Sequence, residues 1–148
     1  MFSFEASAFL LLVWLLTFGG YREARAANQL DPGLAVTFTT AGDDQLKSRD
    51  VAVLPNVQLY VPAGKPPSPF LPGGKFSADW VGFISSDIRD NYSFQAELNG
   101  DLKLEINRVV VWEVSVKNTN AGPTKPIQLN KNTNLFKVHF TNPNEEDA

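Results

Sequence analysis

The chain has 148 residues, of which 43% are hydrophobic and 20% charged, and a formal net charge of −3. This balance, with 11 Phe, 3 Trp and 3 Tyr, predicts one globular domain with ample core material. Because the chain is acidic and lacks a basic patch with interleaved aromatic residues, we expect it to bind neither nucleic acid nor an anionic membrane surface. Without cysteine and with one histidine, it offers no cysteine nucleophile and no His/Cys zinc set.

The first 26 residues are typical of a secretory signal peptide. Residues 8–16 form a nearly unbroken apolar run, and Ala24-Arg25-Ala26 is a small-residue cleavage site before Ala27. The alternative is an uncleaved anchor, but about 20 apolar residues are needed to cross a bilayer and this run is shorter. We therefore expect an exported chain, periplasmic, cell-surface or extracellular, with a mature domain over residues 27–148 and no stable membrane insertion after cleavage.

The mature chain is predicted to begin with β-strands. Residues 34–39 alternate apolar and polar side chains after the turn signal Asp31-Pro32-Gly33, and Gly42-Asp43-Asp44 predicts the next turn. Residues 51–61 predict another strand or two, with Pro55 at an edge or a break.

Residues 62–74 contain five prolines and three glycines, so they are not expected to pair in a sheet. We interpret this segment as a stiff connector between sheets with Phe70 and Leu71 in the core. The alternative is a polyproline ligand for a partner module.

The stretch over residues 76–112 is predicted to be a four-strand meander that carries the core. Apolar residues occupy alternate positions in three runs, at residues 76–80, 92–98 and 102–106. Polar breaks that predict chain reversals separate the runs and the strand after them, at residues 85–91, 99–101 and 107–108. We expect Trp80, Tyr92 and Phe94 to point inward, while the polar positions between them face water.

The remaining strands follow the same pattern. Residues 113–116 extend the fourth strand, residues 127–129 begin another after a polar loop, and residues 136–140 alternate after an asparagine-rich turn. Asn132 in that turn tolerates the left-handed backbone conformation. His139 falls on the polar side with no acidic neighbour in sequence, so we interpret it as a surface histidine.

The spaced motifs F-S-A-x-W-x-G-F, Y-x-F-x-A and G-x-L-x-L-x-I-N resemble the PA14 domain, an extracellular domain named after the anthrax protective antigen, over residues 34–140. The resemblance implies an all-β, antiparallel β-sandwich. The family places one more strand after this point, so we expect the chain to lack its last strand and to be a fragment of a longer protein. Arg108 stands where the family commonly has glycine, which requires either a positive φ at a non-glycine residue or a different loop.

The resemblance also implies a function. We expect a non-catalytic module that binds carbohydrate or another ligand as part of a larger cell-surface or secreted bacterial protein. The alternative is a structural spacer or docking domain whose neighbouring domain, such as a c-type haem domain or a hydrolase, carries the activity. The expected partner is accordingly a glycan or a neighbouring protein domain, and the chain itself is not expected to be an enzyme.

The candidate ligand-binding residues are oxygen-bearing side chains in two predicted loops: Asp87, Asp90 and Asn91 in the first, and Asn99 and Asp101 in the second. Such residues bind Ca²⁺, but they are also the usual residues of turns. Sugar-binding members of the family hold calcium with adjacent aspartates where this chain has Leu98 and Asn99. We therefore predict no catalytic residue, no metal site and no cofactor, with calcium binding only if other loop carboxylates replace that pair.

Overall fold

Antiparallel β-strands account for all the regular secondary structure in the described part of the chain. The computed structural model describes residues 32–41, 47–143 and 147–148, except for the side chains of Ala41 and Lys47. The predicted signal peptide and the turn predicted at residues 42–44 lie outside these ranges. Within them, no helix has the length and hydropathy needed to cross a membrane.

Eight strands form two sheets. The strands are β1 (Leu34–Ala41), β2 (Lys47–Leu54), β3 (Phe76–Ser86), β4 (Asp90–Tyr92), β5 (Ala96–Ile106), β6 (Val109–Ala121), β7 (Ile127–Leu129) and β8 (Asn132–Asn142). Six of them form one sheet in the order β2-β1-β3-β8-β5-β6, and β4 pairs with β7 in a second, two-stranded sheet. Every pairing is antiparallel, which confirms the prediction of an all-β, antiparallel fold.

One face of the six-stranded sheet, here called the inner face, carries the core. Its buried residues come from alternate positions on four strands: Val36 and Phe38, then Phe76, Ala78 and Trp80, then Leu104 and Ile106, then Val138 and Phe140. This face is covered by Val61, directly before the connector, by Leu71 of the connector and by Leu129 of β7. These two layers form a sandwich-like arrangement around one apolar core. Full burial of each such side chain stabilises the fold by about 1.5–3 kcal/mol.

The predicted chain reversal at residues 99–101 is wrong. β5 runs through these residues as one strand, and its pairing with β6 shifts register between Leu98 and Gly100. Three residues of β6 span the distance that two residues of β5 cover there, and Asn118, within that β6 segment, has a φ of 46°. The irregularity is therefore a β-bulge on β6 rather than a turn in β5.

Two aromatic side chains lie elsewhere than predicted. Tyr92 is 36% exposed, because β4 pairs with β7 instead of continuing the large sheet. Its hydroxyl lies 2.7 Å from the Ser86 hydroxyl, so its polar end is satisfied at the surface. In the connector, Leu71 is buried as predicted, but Phe70 is 83% exposed.

The hairpin between β5 and β6 has positive φ at both turn residues, 51° at Asn107 and 69° at Arg108. Of the two loop geometries that the sequence left open, the chain adopts the one with a non-glycine residue in the left-handed region. The backbone N–H of Asn107 donates to the Leu135 carbonyl at 2.9 Å, and the side-chain oxygen of Asn107 accepts from the backbone N–H of Leu135 at 2.9 Å. Asn132 has a φ of 71°, the left-handed conformation that the sequence allowed, but it is the first residue of β8, so the asparagine-rich turn is shorter than predicted.

Candidate functional site

A cavity of about 320 Å³ lies on the inner face; we call it the inner cavity. The large sheet supplies most of its apolar wall, from side chains on four strands: Trp80, Leu102, Leu104, Trp112, Phe136, Val138 and Phe140. Residues outside that sheet complete the wall, namely Val57, Leu59, Phe94 and Ala148. Period-two alternation in β5 and β8 explains this composition, because alternate residues of each strand reach the same face.

A polar rim borders this wall at the start of β5. It consists of Gln95, Glu97 and Asn99, interleaved with Ala96 and Leu98. With Phe94 directly before them, six consecutive residues therefore line the cavity, which strict alternation in a regular strand does not allow. The segment just before the strand and Gly100, whose φ is 143°, both depart from a regular strand and bring neighbouring residues to the same space.

Hydrogen bonds hold the rim, and Phe94 directly before it, to two other segments. The Phe94 N–H donates to the Thr124 hydroxyl at 3.1 Å, and the Thr124 N–H donates to the Phe94 carbonyl at 2.9 Å. The Asn99 side-chain amide donates to the Asp147 carbonyl at 2.8 Å. The same terminal segment pairs with Val61, whose N–H donates to the Ala148 carbonyl at 2.7 Å. These contacts fix the rim relative to the wall.

The charge in the lining is one-sided. None of the sixteen lining residues is Lys, Arg or His, and Glu97 alone among them has an ionisable side chain. None of the ion pairs between described residues involves Glu97. Among the lining side chains, the inner cavity therefore presents one carboxylate, that of Glu97, beside a largely apolar wall.

Trp80 contributes its ring to the wall but not its polar atom. The side chain is 2% exposed, and its indole N–H has no acceptor among the described residues and under 1 Å² of accessible surface. A buried donor without a partner is unfavourable by about 1–3 kcal/mol. The stabilisation from packing the Trp80 ring in the core therefore exceeds the free energy lost by leaving its indole N–H without an acceptor.

The predicted site residues do not converge. Asp87, Asp90 and Asn91 are exposed at the end of the sheet where Ser86 pairs with Asn132, whereas Asp101 pairs with Thr141 near the other end of β8. Asn99 lines the inner cavity, and Asp101 is an exposed residue of β5. The two predicted groups lie at opposite ends of the sheet and form no common site.

Several residues of the inner cavity were not predicted as site residues, above all Glu97, Trp112 and Phe136. Their apolar or polar alternation was visible in the sequence, but it indicates only which face a residue occupies. A cavity depends on what the covering segments leave unfilled, and no local signal in the sequence contains that information.

The opposite face of the sheet, here called the outer face, contains an ordered polar cluster. The Asp79 carboxylate lies 2.9 Å from Nδ1 of His139, and Nε2 of His139 lies 3.2 Å from the Thr141 hydroxyl. Lys137 adds an ion pair to Asp79 at 3.8 Å. His139 therefore has an acidic partner that strand pairing supplies and that the sequence neighbourhood did not show.

The order carboxylate, imidazole, hydroxyl is that of a catalytic triad, but the surroundings do not support nucleophilic catalysis. β8 is a central strand that pairs with β3 on one side and β5 on the other at Thr141. Its backbone N–H groups are therefore committed to the sheet and are not available as an oxyanion hole beside that hydroxyl. We interpret the cluster as a polar network across the strands. Among the described residues, no group of three or more His, Cys, Asp or Glu side chains is placed to hold a metal ion.

No protein-family model matches this chain, and no curated protein sequence does. Among solved structures, an anti-sigma factor domain-containing protein is similar, with a TM-score of 0.58 and 24% identity, over 78% of this chain. The match covers 40% of that protein, so this chain spans less than half of its length. At this level of identity the similarity shows a shared fold and nothing about function.

Proposed function

We propose that this chain is a non-catalytic ligand-binding module and that the inner cavity is its binding site. The observation that carries the proposal is the cavity itself, about 320 Å³ in volume with an aromatic and aliphatic wall and a short polar rim. Small-molecule sites in proteins have this size and this combination of apolar surface with a few polar groups. The rim is anchored by hydrogen bonds, so the site is preformed.

The wider setting belongs to the same proposal: an exported PA14-like sandwich that is part of a larger cell-surface or secreted protein. It is supported by the motif residues from which the resemblance was drawn. Trp80 of the W-x-G motif is buried in the core. Gly82 of that motif lies where an added Cβ would meet the side chain of Leu34. Both positions thus have a structural reason for their residue type.

For the ligand, the inner cavity favours a molecule with an apolar body over a sugar. A sugar ring presents hydroxyl groups on most of its carbons, and each buried hydroxyl needs a hydrogen-bonding partner. The polar side chains of the lining are confined to the rim, apart from the indoles of Trp80 and Trp112, and the N–H of Trp80 is not accessible. Carbohydrate binding remains the proposal for the exposed segment with Asp87, Asp90 and Asn91, of which the last two lie in β4, because its polar groups are accessible.

The second candidate, a spacer or docking domain, is favoured by an apolar area on the outer face. Val53, Ala35 and Val81 lie side by side across three strands, and all three are exposed. Val51 and Phe83, 66% and 53% exposed, extend this row along β2 and β3. Contiguous exposed apolar surface is typical of contacts with another protein or domain.

The inner cavity is tested with N-phenyl-1-naphthylamine, a neutral dye whose fluorescence rises in apolar surroundings. We expect saturable, one-to-one binding to the native chain and its loss in Leu98→Trp, because the larger side chain fills the space beside the rim. Val109→Trp is the matched control, since it adds the same side chain at a residue that is 62% exposed and lies outside both the lining of the inner cavity and the apolar area of the outer face. Any binding of the dye to other apolar segments is the same in all three chains.

Two results would contradict the proposal: no saturable binding to the native chain, or equal binding by the native chain and Leu98→Trp. Either would leave the spacer or docking role as the better account. A glycan array probed with the native chain and with Asp87→Ala tests the carbohydrate alternative separately, because Asp87 is exposed and remote from the inner cavity.

A further inference from the structure

We infer that the ligand of the inner cavity is a cation, a small molecule with an aromatic-sized apolar body and an ammonium group placed at the rim. This inference rests on the proposed function and names the chemical class of the ligand for that same site. It follows from the charge and the aromatic content of the lining.

The lining disfavours anions. An anionic ligand would lose hydration on entering an apolar cavity, and there it would meet the Glu97 carboxylate and no Lys, Arg or His among the described lining residues. An uncompensated charge in such surroundings is strongly unfavourable. Carboxylates, phosphates and sulfonates are therefore poor ligands for this site.

Glu97 provides the complementary charge for a cation. It lies on the rim between Ala96 and Leu98, it is exposed, and it takes part in none of the ion pairs between described residues. Its carboxylate is thus hydrated and available at the mouth of the cavity. An ammonium group at the mouth can approach it without giving up all of its own hydration.

Aromatic rings supply the second source of attraction. Five of the lining residues are aromatic: Trp80, Phe94, Trp112, Phe136 and Phe140. Ring faces attract alkylammonium groups, and sites rich in aromatic side chains recognise quaternary ammonium ligands. A ligand that places its apolar body on the wall and its ammonium group at the rim uses both features of the lining at once.

The test compares three probes of similar size by NMR titration of the full chain. Benzyltrimethylammonium is the cation, 2,2-dimethylpropylbenzene is its neutral isostere, and phenylacetate is the anion. We expect the cation to bind the native chain at least about tenfold more tightly than the anion. Glu97→Gln should weaken cation binding about three- to fivefold, as removal of a partly exposed charge pair does. Binding of the neutral isostere should change by less than about twofold, because it makes no charge contact.

Glu113→Gln is the matched control. Glu113 is exposed on β6, outside the lining of the inner cavity, and it pairs with Lys103 at 3.7 Å. Its substitution changes the net charge of the chain by the same amount as Glu97→Gln. We expect it to leave the affinity for all three probes unchanged, which separates a local contact with Glu97 from an effect of overall charge.

The outcomes separate this inference from the proposed function. The inference is overturned if Glu97→Gln affects the cation no more than the neutral isostere, or if the anion binds as tightly as the cation. It is also overturned if none of the three probes binds while N-phenyl-1-naphthylamine does. In each of those cases the cavity remains a binding site for other ligands. If the neutral dye fails as well, the proposed function fails with the inference.

Discussion

Asn134 should be one of the largest single contributors to stability outside the apolar core. Its side chain is 0% exposed and makes three hydrogen bonds. The side-chain N–H donates to the Asn130 carbonyl at 2.9 Å, while the side-chain oxygen accepts from the Asn130 N–H at 2.9 Å and from the Asn107 amide at 3.0 Å. One residue thus ties the segment before β8 to the hairpin between β5 and β6.

Asn134→Ala removes all three bonds and leaves their partners in a partly buried site. At roughly 1 kcal/mol for each bond, we expect the free energy of unfolding to fall by about 3 kcal/mol. That is a large fraction of the 5–15 kcal/mol typical of a domain. With a urea m-value of about 1–3 kcal/mol/M, the midpoint of unfolding should fall by roughly 1–3 M.

Urea titration followed by circular dichroism measures this change, with Asn56→Ala as the control because Asn56 is exposed. The control should stay within about 0.5 kcal/mol of the native chain. A loss below about 1 kcal/mol for Asn134→Ala would refute the reasoning, because water would then be replacing the side chain at little energetic expense.

Two further predictions concern backbone conformation, and thermal unfolding measures both. Gly100 has a φ of 143°, and an added Cβ would meet the Thr141 carbonyl oxygen and lie 2.9 Å from the Phe140 ring. Gly100→Ala should therefore destabilise the chain by about 2–4 kcal/mol. An unchanged melting temperature would mean that β5 and β8 separate easily. Arg108 has a φ of 69°, so Arg108→Gly should stabilise the chain by about 0.5–1 kcal/mol because it relieves the backbone strain. A lower melting temperature would show that the arginine side chain stabilises the fold by more than the backbone strain destabilises it.

The strands that the sequence predicted well are those with one face in the core and one in water. Residues 34–39, 76–80 and 136–140 alternate in the printed sequence, and β1, β3 and β8 bury the expected members of each run. A sheet with one covered face must bury alternate residues of each strand, so the apolar pattern in the sequence predicts which residues are buried. The covered face is in turn what positions the wall of the inner cavity.

Predictions failed where the same residue type serves two purposes. The Asn-Gly-Asp sequence at residues 99–101 predicted a turn, since glycine permits unusual backbone angles. In the fold, Gly100 uses that freedom to let β5 pass close to Thr141 and Phe140 of β8. Composition shows that the backbone is unusual at Gly100, but it does not distinguish a reversal from a close approach.

Irregular segments contain even less information about orientation. Phe70 and Leu71 are adjacent and equally apolar, and the connector has no period that would assign one of them to the core. The Ser68 hydroxyl donates to the Asp50 carboxylate, and the Leu71 N–H donates to the Ser68 carbonyl at 3.2 Å. These polar contacts fix the local turn and thereby send Leu71 inward and Phe70 outward, and a scan for apolar residues does not detect them.

The same limit applies to the position where the family resemblance placed a calcium-binding aspartate pair. Leu98 and Asn99 both line the inner cavity, and the irregular backbone of β5 at Gly100, with a φ of 143°, lets two neighbouring residues share that space. Leu98 contributes to the apolar wall, while Asn99 directs its amide to the Asp147 carbonyl. Two carboxylates there would add negative charge beside Glu97 in a lining without cations, and a bound metal ion would be needed to offset it. With leucine and asparagine the position is compatible with an apolar cavity, which is why we assign it to the cavity rather than to a calcium site.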